Sequence, residues 1–305
     1  AGVTYEVGEG TQCINCHMTG MYYMGNDFRR DHSFRNPRPD QTVLYDTPNA
    51  CNGCHTDKTA KWAADFIIEK YGTERPEHFS DLLLAGNAGD REALTQLISD
   101  KKYPDIARAT AVNYYARGLA AEDIDNIKTY LKDPSPLVRK EAVFALNGTG
   151  DYFTDLVKPL LHDSVRLVRI AAARNLYYSG IETMEIDGFE KGHKEYLTYL
   201  TTNGDFATGQ QNLARYYEAS GDIHKTISAY QKAIEMDYYF NAARINLALL
   251  LYQKGEVPSA EALYLKVVEL EPEFGYSYFM LGLLYYESGN TPKALDYLDT
   301  ACNKQ

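Results

Sequence analysis

Three glycines, Gly221, Gly255 and Gly289, stand 34 residues apart twice over, and that spacing restricts the fold of this 305-residue chain more than any other feature. A fixed period of roughly 20–50 residues marks one helical or stranded unit repeated, each unit burying its apolar face only by stacking on the next. The same residue kinds return around the glycines. Leu213, Leu247 and Leu281 recur, followed by Ala214, Ala248 and Gly282, with Ala260 and Ala294 later in the unit and Pro272 at its end. Glycine adopts the left-handed backbone that commonly ends a helix, so each of the three is placed to close the first helix of a pair. Three helical hairpins over 206–305 are expected. Thr226, where a small alanine is usual, and Tyr238, in place of the closing proline, predict looser packing in the first.

This pattern closely resembles the tetratricopeptide repeat. A second, different repeat precedes it. Asp133 to Leu146 (DPSPLVRKEAVFAL) aligns with Asp163 to Leu176 (DSVRLVRIAAARNL), and a weaker copy runs from Pro104 to Ala116. An aspartate at a turn, then Val-Arg and a small-residue face, resembles HEAT-type hairpins. Arg108, Arg139 and Arg169 fall at nearly equivalent positions and are expected to serve as structural ion pairs or helix caps. HEAT-like repeats are assigned to 81–186, a linker with a short helix to 187–205, and tetratricopeptide repeats to 206–305. The 26 tyrosines read mostly as packing between helices, with their hydroxyls reaching the surface.

Residues 1–80 are of another kind: breakers such as Gly20, Gly25, Pro37, Pro39, Pro48 and Gly53 crowd the segment, so loops should dominate it. It holds CxxCH twice, Cys13, Cys16, His17 and Cys51, Cys54, His55. In that pattern two thiols add across the vinyl groups of a haem and the adjacent imidazole ligates the iron. Two covalently attached haems c (iron) are therefore expected. A shared zinc site of four thiolates is the rival, but it leaves both histidines unexplained, as does a disulfide reading. His32 and His78 are assigned as the distal ligands, without deciding which serves which haem, and Met21 or Met24 stands as a competing thioether ligand. Met18 adjoins His17 too closely to reach the opposite face. Arg29, Arg30, Arg35 and Arg38 form a basic cluster suited to haem propionates, because arginine recognises carboxylates through paired donors. The helix KTAKWAADFIIEKY, with Trp62, Phe66 and Ile67 on one face, begins directly after the second motif, so Trp62 and Phe66 should pack near that haem. His162, His193 and His224 read as exposed, non-ligating positions.

The net charge of −11 argues against nucleic acid, whose phosphates require clustered Lys and Arg, and suits basic or metal-containing redox protein partners. No apolar run approaches a membrane span. Haem attachment to CxxCH implies an exported protein, periplasmic or extracellular and at the cell surface, with Ala1 as the mature N-terminus.

The phrases CINCHMTG, RRDHSFRNPRPD and TPNACNGCHTDKTAKWAADF, with His78-Phe79 leading into repeats, resemble a bacterial family of multihaem cytochromes with paired CxxCH motifs and C-terminal tetratricopeptide repeats. The resemblance implies a mainly α fold, a loop-rich dihaem cytochrome c domain followed by an α-solenoid. It implies haem attachment at Cys13, Cys16, Cys51 and Cys54, iron ligation by His17 and His55, and ligand roles for His32 and His78. Family members often carry further haem motifs; this chain has two. The expected function is electron transfer by an exported dihaem cytochrome rather than catalysis. Its helical-repeat scaffold would bind proteins or self-associate head to tail through the solenoid end, growing into an extracellular filament. The alternative is a haem enzyme, a small-molecule reductase or peroxidase with one five-coordinate iron. The self-association expectation rests on Tyr285, Leu298 and Ala301 lacking a following helix, with Cys302 either pairing across the joint or buried as a free thiol.

Overall fold

A computed structural model describes residues 12–23, 27–183 and 185–304. By internal packing the chain divides into two compact units, 1–145 and 146–305. The division falls inside the stretch read as HEAT-like.

In the first unit the loop-rich segment carries short elements. Helix α1 (Cys13–His17) leads into a two-stranded antiparallel hairpin, β1 (Gly20–Tyr23) and β2 (Asp27–Arg30), with Gly20 opposite Arg30 and Tyr23 opposite Asp27. Then come α2 (Pro39–Tyr45), α3 (Ala50–Cys54) and α4 (Ala60–Tyr71). Helix α4 starts where the Thr59 hydroxyl accepts the Trp62 N–H, satisfying one of the donors every helix start leaves open. Its buried face is Ala63 and Ala64, packed toward α2. This corrects the expected apolar face: Trp62 and Phe66 lie on the outer side, 38% and 46% exposed. Helices α5 (Phe79–Asn87), α6 (Arg91–Ser99), α7 (Asp105–Tyr115), α8 (Ile124–Tyr130) and α9 (Pro136–Ala145) complete the unit. Their core is Leu94, Leu97, Ile98, Val112, Ile127, Val138 and Val143. Arg108 is buried in it, donating through Nε to the Ile98 carbonyl and pairing with Asp133.

The second unit begins with α10 (Thr154–Val157), a 3-10 turn over Lys158–His162, α11 (Arg166–Tyr177) and α12 (Phe189–Thr202). The repeat equivalence read from the alignment is visible in the bonds. Arg139 Nη1 donates to the carbonyls of Asp133 and Pro134 at 2.8 and 3.0 Å, and Arg169 Nη1 to those of Asp163 and Ser164 at 2.8 and 3.1 Å. Asp133 and Asp163 each accept the backbone N–H two residues on, at 2.8 Å. Both arginines thus clamp their own preceding turn, as expected of a structural role, and Arg169 adds a two-pronged pair with Glu195 on α12. Residues 187–205 hold more than a short linker helix. Helix α12 has 14 residues and buries Phe189, Tyr196 and Leu200 while packing on α11. Gly192 permits that approach, since a Cβ there would lie 3.0 Å from the Ala173 methyl.

Three hairpins follow: α13 (Ala207–Ala219) with α14 (Ile223–Met236), α15 (Asn241–Gln253) with α16 (Val257–Leu270), and α17 (Gly275–Glu287) with α18 (Thr291–Asn303). Gly221, Gly255 and Gly289 take φ of +74°, +79° and +78°. At each, the glycine N–H returns to the carbonyl three residues back and the next N–H to the carbonyl five back. These paired bonds satisfy carbonyls that the helix end would otherwise leave unmet. Ala214 and Ala248 are fully buried, and Gly282 meets the second helix of its pair, where a Cβ would fall 2.6 Å from Leu298 Cγ. Thr226 is fully buried, its hydroxyl donating to the Asp222 carbonyl at 2.8 Å, so the first repeat is not loosened there as expected.

Candidate functional site

The two CxxCH helices α1 and α3 lie against each other within the first unit. Burial pushes the Cys51 thiol above its ordinary pKa, and the nearby Cys16 thiol adds to the shift. Cys51 is half-buried, whereas Cys13, Cys16 and Cys54 are exposed. The His17 ring is fixed twice: Nδ1 donates to the Arg35 carbonyl at 2.8 Å, and the ring stacks on Phe34 at 4.9 Å. His55 sits beside Trp62 at 5.0 Å, and Trp62 stacks on Phe66 at 6.1 Å.

His78 caps α5: its Nδ1 accepts the Ser80 N–H at 3.2 Å and the ring lies on Phe79 at 4.2 Å. Desolvation of that ring holds His78 below the usual histidine pKa; Asp81 opposes the shift, while Arg38 and Arg35 reinforce it. His32 is exposed in a turn. Three of the four arginines pair with carboxylates of their own chain. Arg29 pairs with Asp27, Arg35 with Asp31, and Arg38 with both Asp40 and Asp81, the last tying α2 to α5. Arg30 donates to the Ile14 and Met18 carbonyls and to Asn15 Oδ1, steadying α1. Met21 is exposed on the hairpin, and Met24 lies outside the described residues.

Among the described residues no group of three or more His, Cys, Asp or Glu gathers so as to hold a metal ion. Among these residues His78 caps α5 through Nδ1, His32 is exposed, and Arg29, Arg35 and Arg38 pair with aspartates while Arg30 bonds to carbonyls and Asn15.

A second locale lies in the repeat array. Phe274, Tyr276 and Phe279 of α17 and the loop before it form, with Ala301 and Cys302 of α18, an open cavity of about 630 Å³. Glu273 and Lys304 pair at its rim. Of the residues expected at the array end, Tyr285 and Ala301 are buried and Leu298 is half-buried. Cys302 is exposed within the cavity rather than buried.

A third feature escaped the sequence reading. His193, expected at the surface, is half-buried between Tyr177 at 5.1 Å and Phe189 at 5.2 Å, with Nε2 3.0 Å from the Tyr216 hydroxyl. Burial lowers its pKa. The available signal was spacing, since Phe189 and His193 are one helical turn apart. His162 is exposed as expected, 3.3 Å from Asp187.

No curated protein matches the chain. Among solved structures it is similar to the crystal structure of MamA, 18% identical over 61% of this chain and 95% of that one, TM-score 0.35. A further crystal structure of MamA protein is 19% identical over 59% and 92%, TM-score 0.38. The human IFIT1 dimer with PPP-AAAA is 16% identical over 80% and 68%, TM-score 0.34. Two tetratricopeptide repeat families match, over residues 212–273 and 263–296. The expectation of two covalently attached haems c is corrected on these findings: the matched families are repeat families, and the described residues gather no metal-holding group. No helix among the described residues is long and apolar enough to cross a membrane. The C-terminal part of the chain is an array of tetratricopeptide repeats.

Proposed function

We propose that this chain is a docking scaffold whose repeat array binds other protein chains. The observation that carries the reading is the open, aromatic-lined cavity on the last described hairpin of a regularly stacked array. Stacked repeats present extended surfaces because each contacts only its neighbours, leaving the outer helix faces available for partners. Aromatic side chains supply large contact area at little conformational cost, which suits Tyr276 and Phe279 to such a surface. The hairpins share one core cluster running from Tyr196 to Ala294, so the presented side chains sit on fixed helices rather than on loops.

Chemical cross-linking of the full chain in its native extract, read by mass spectrometry, tests the reading. Intermolecular links are expected to concentrate on Lys266, Lys293 and Lys304. Links confined to residues before 146, or none, would overturn it.

A further inference from the structure

Three asparagines of this chain are followed by glycine: Asn52-Gly53, Asn147-Gly148 and Asn203-Gly204. The backbone nitrogen of the following residue can attack an asparagine's side-chain carbonyl, and glycine eases the approach because it carries no Cβ. A folded chain permits the reaction only where the glycine nitrogen lacks an acceptor, the asparagine nitrogen is free to leave, and the turn opens to water.

The fold closes two of the three pairs. Gly53 lies inside α3, where Asn52 Nδ2 donates to the Lys58 carbonyl at 2.7 Å and Oδ1 accepts from Asn49 Nδ2 at 2.8 Å. Gly204 is buried and donates its N–H to the Thr201 carbonyl at 3.2 Å, while Asn203 Nδ2 donates to the Tyr199 carbonyl at 2.7 Å. In both pairs the nitrogen that would leave is already held by a backbone carbonyl, so a hydrogen bond must break first.

Asn147-Gly148 differs on each count. Both residues are exposed in the turn after α9, and Gly148 takes a left-handed φ of +81°. Among the described residues no backbone carbonyl receives the Gly148 N–H. The Asn147 side chain is held through its oxygen instead: Asn175 Nδ2 donates to Oδ1 at 3.0 Å, which leaves Asn147 Nδ2 without an acceptor among the described residues. A donor on that oxygen draws electron density from Cγ and stabilises the negative charge that forms there as a nucleophile adds.

We infer that Asn147-Gly148 is a self-modification site, where asparagine converts to aspartate and isoaspartate through a cyclic imide. The Gly148 nitrogen gives its proton to hydroxide and attacks Asn147 Cγ. The N–Cγ bond forms, the Cγ–Nδ2 bond breaks, and Nδ2 leaves as ammonia with a proton taken from water. Water then opens the imide at either of its carbonyls. Both products add a carboxylate to the turn. Isoaspartate also adds a methylene to the backbone beside Thr149, whose hydroxyl bonds the Leu146 carbonyl at 2.8 Å. The turn stands at the boundary between the two compact units, so the conversion alters the link between them.

The test is to incubate the full chain near neutral pH and follow the three pairs by peptide mapping and mass spectrometry. Conversion at Asn147 should exceed that at Asn52 and at Asn203 by about tenfold or more, because those two must first break their hydrogen bonds or open locally. It should accelerate as pH rises, since the deprotonated nitrogen is the nucleophile. Hydroxylamine, which cleaves the imide, should cut the native chain between 147 and 148. In urea the three rates should converge, because each site is an Asn-Gly pair and only the fold separates them. Asn147→Gln, at an exposed position, should abolish the mass change in its peptide while the circular dichroism stays unchanged. Equal rates at the three pairs in the native chain, or the same ranking in urea as in buffer, overturns the inference.

Discussion

Tyr230 and Tyr264 occupy the same place in successive repeats, and both rings are fully buried. Their hydroxyls differ. That of Tyr230 lies 3.3 Å from Glu218 Oε2, whereas that of Tyr264 has no hydrogen-bond partner among the described residues. A buried, unpaired hydroxyl costs its full desolvation, about 1–3 kcal/mol, while a made hydrogen bond contributes about 0.5–1.5 kcal/mol. Tyr264→Phe removes the cost and leaves a void smaller than a methyl group, itself costing under about 1 kcal/mol. The net expectation is a gain of about 1 kcal/mol. Tyr230→Phe loses a bond to a carboxylate that can return to water, for a loss of about 0.5–1 kcal/mol. Urea unfolding followed by circular dichroism separates the two. With slopes of about 1–3 kcal/mol/M, the midpoints should move in opposite directions by roughly 0.3–1 M at unchanged slope. A Tyr264→Phe midpoint lowered as far as that of Tyr230→Phe would refute the reasoning.

Arg169→Ala should destabilise the second unit by about 2 kcal/mol, because it removes charge-assisted hydrogen bonds to Glu195 in a half-buried pair; Glu195→Gln should cost less, and thermal melts of both variants check the order. His193 titrates lower in the folded chain because its ring is buried, so the unfolded chain binds the proton more readily. Its contribution is then fully present above the unfolded value of about 6.5 and is lost as pH falls below it; His193→Gln should flatten the pH dependence of melting temperature between about pH 5 and 7. Gly255→Ala should destabilise by about 1–2 kcal/mol, since alanine at φ +79° is strained even though no atom obstructs its Cβ; an unshifted urea midpoint would contradict that. Thr59→Ala should cost about 1 kcal/mol by removing the α4 cap, seen as earlier loss of amide-exchange protection over residues 60–64.

The repeat array was legible in the chain because its determinants are local and periodic. A glycine that must turn left-handed every 34 residues, and a small residue where two helices touch, are properties of single positions repeated in register. The arginine clamps were legible for the same reason, since Arg139 and Arg169 bond to turns five and six residues away. Where partners lie far apart, pattern alone does not name them. Of the arginines between the CxxCH motifs, three pair with carboxylates of the chain, and only the fold brings Asp81 to Arg38 across 43 residues. Trp62 and Phe66 read as a buried face, yet α4 turns Ala63 and Ala64 inward instead. An amphipathic pattern states which residues share a side, and the neighbouring α2 decides which side is covered. His78 shows the same limit, because only the fold places the Ser80 N–H 3.2 Å from its Nδ1 and so makes it the cap of α5. The sequence by itself determined the mainly helical class and the repeat array, through periodic local preferences. The tertiary structure alone decided what the charged and aromatic side chains meet, because those meetings depend on distances between segments that no local preference encodes.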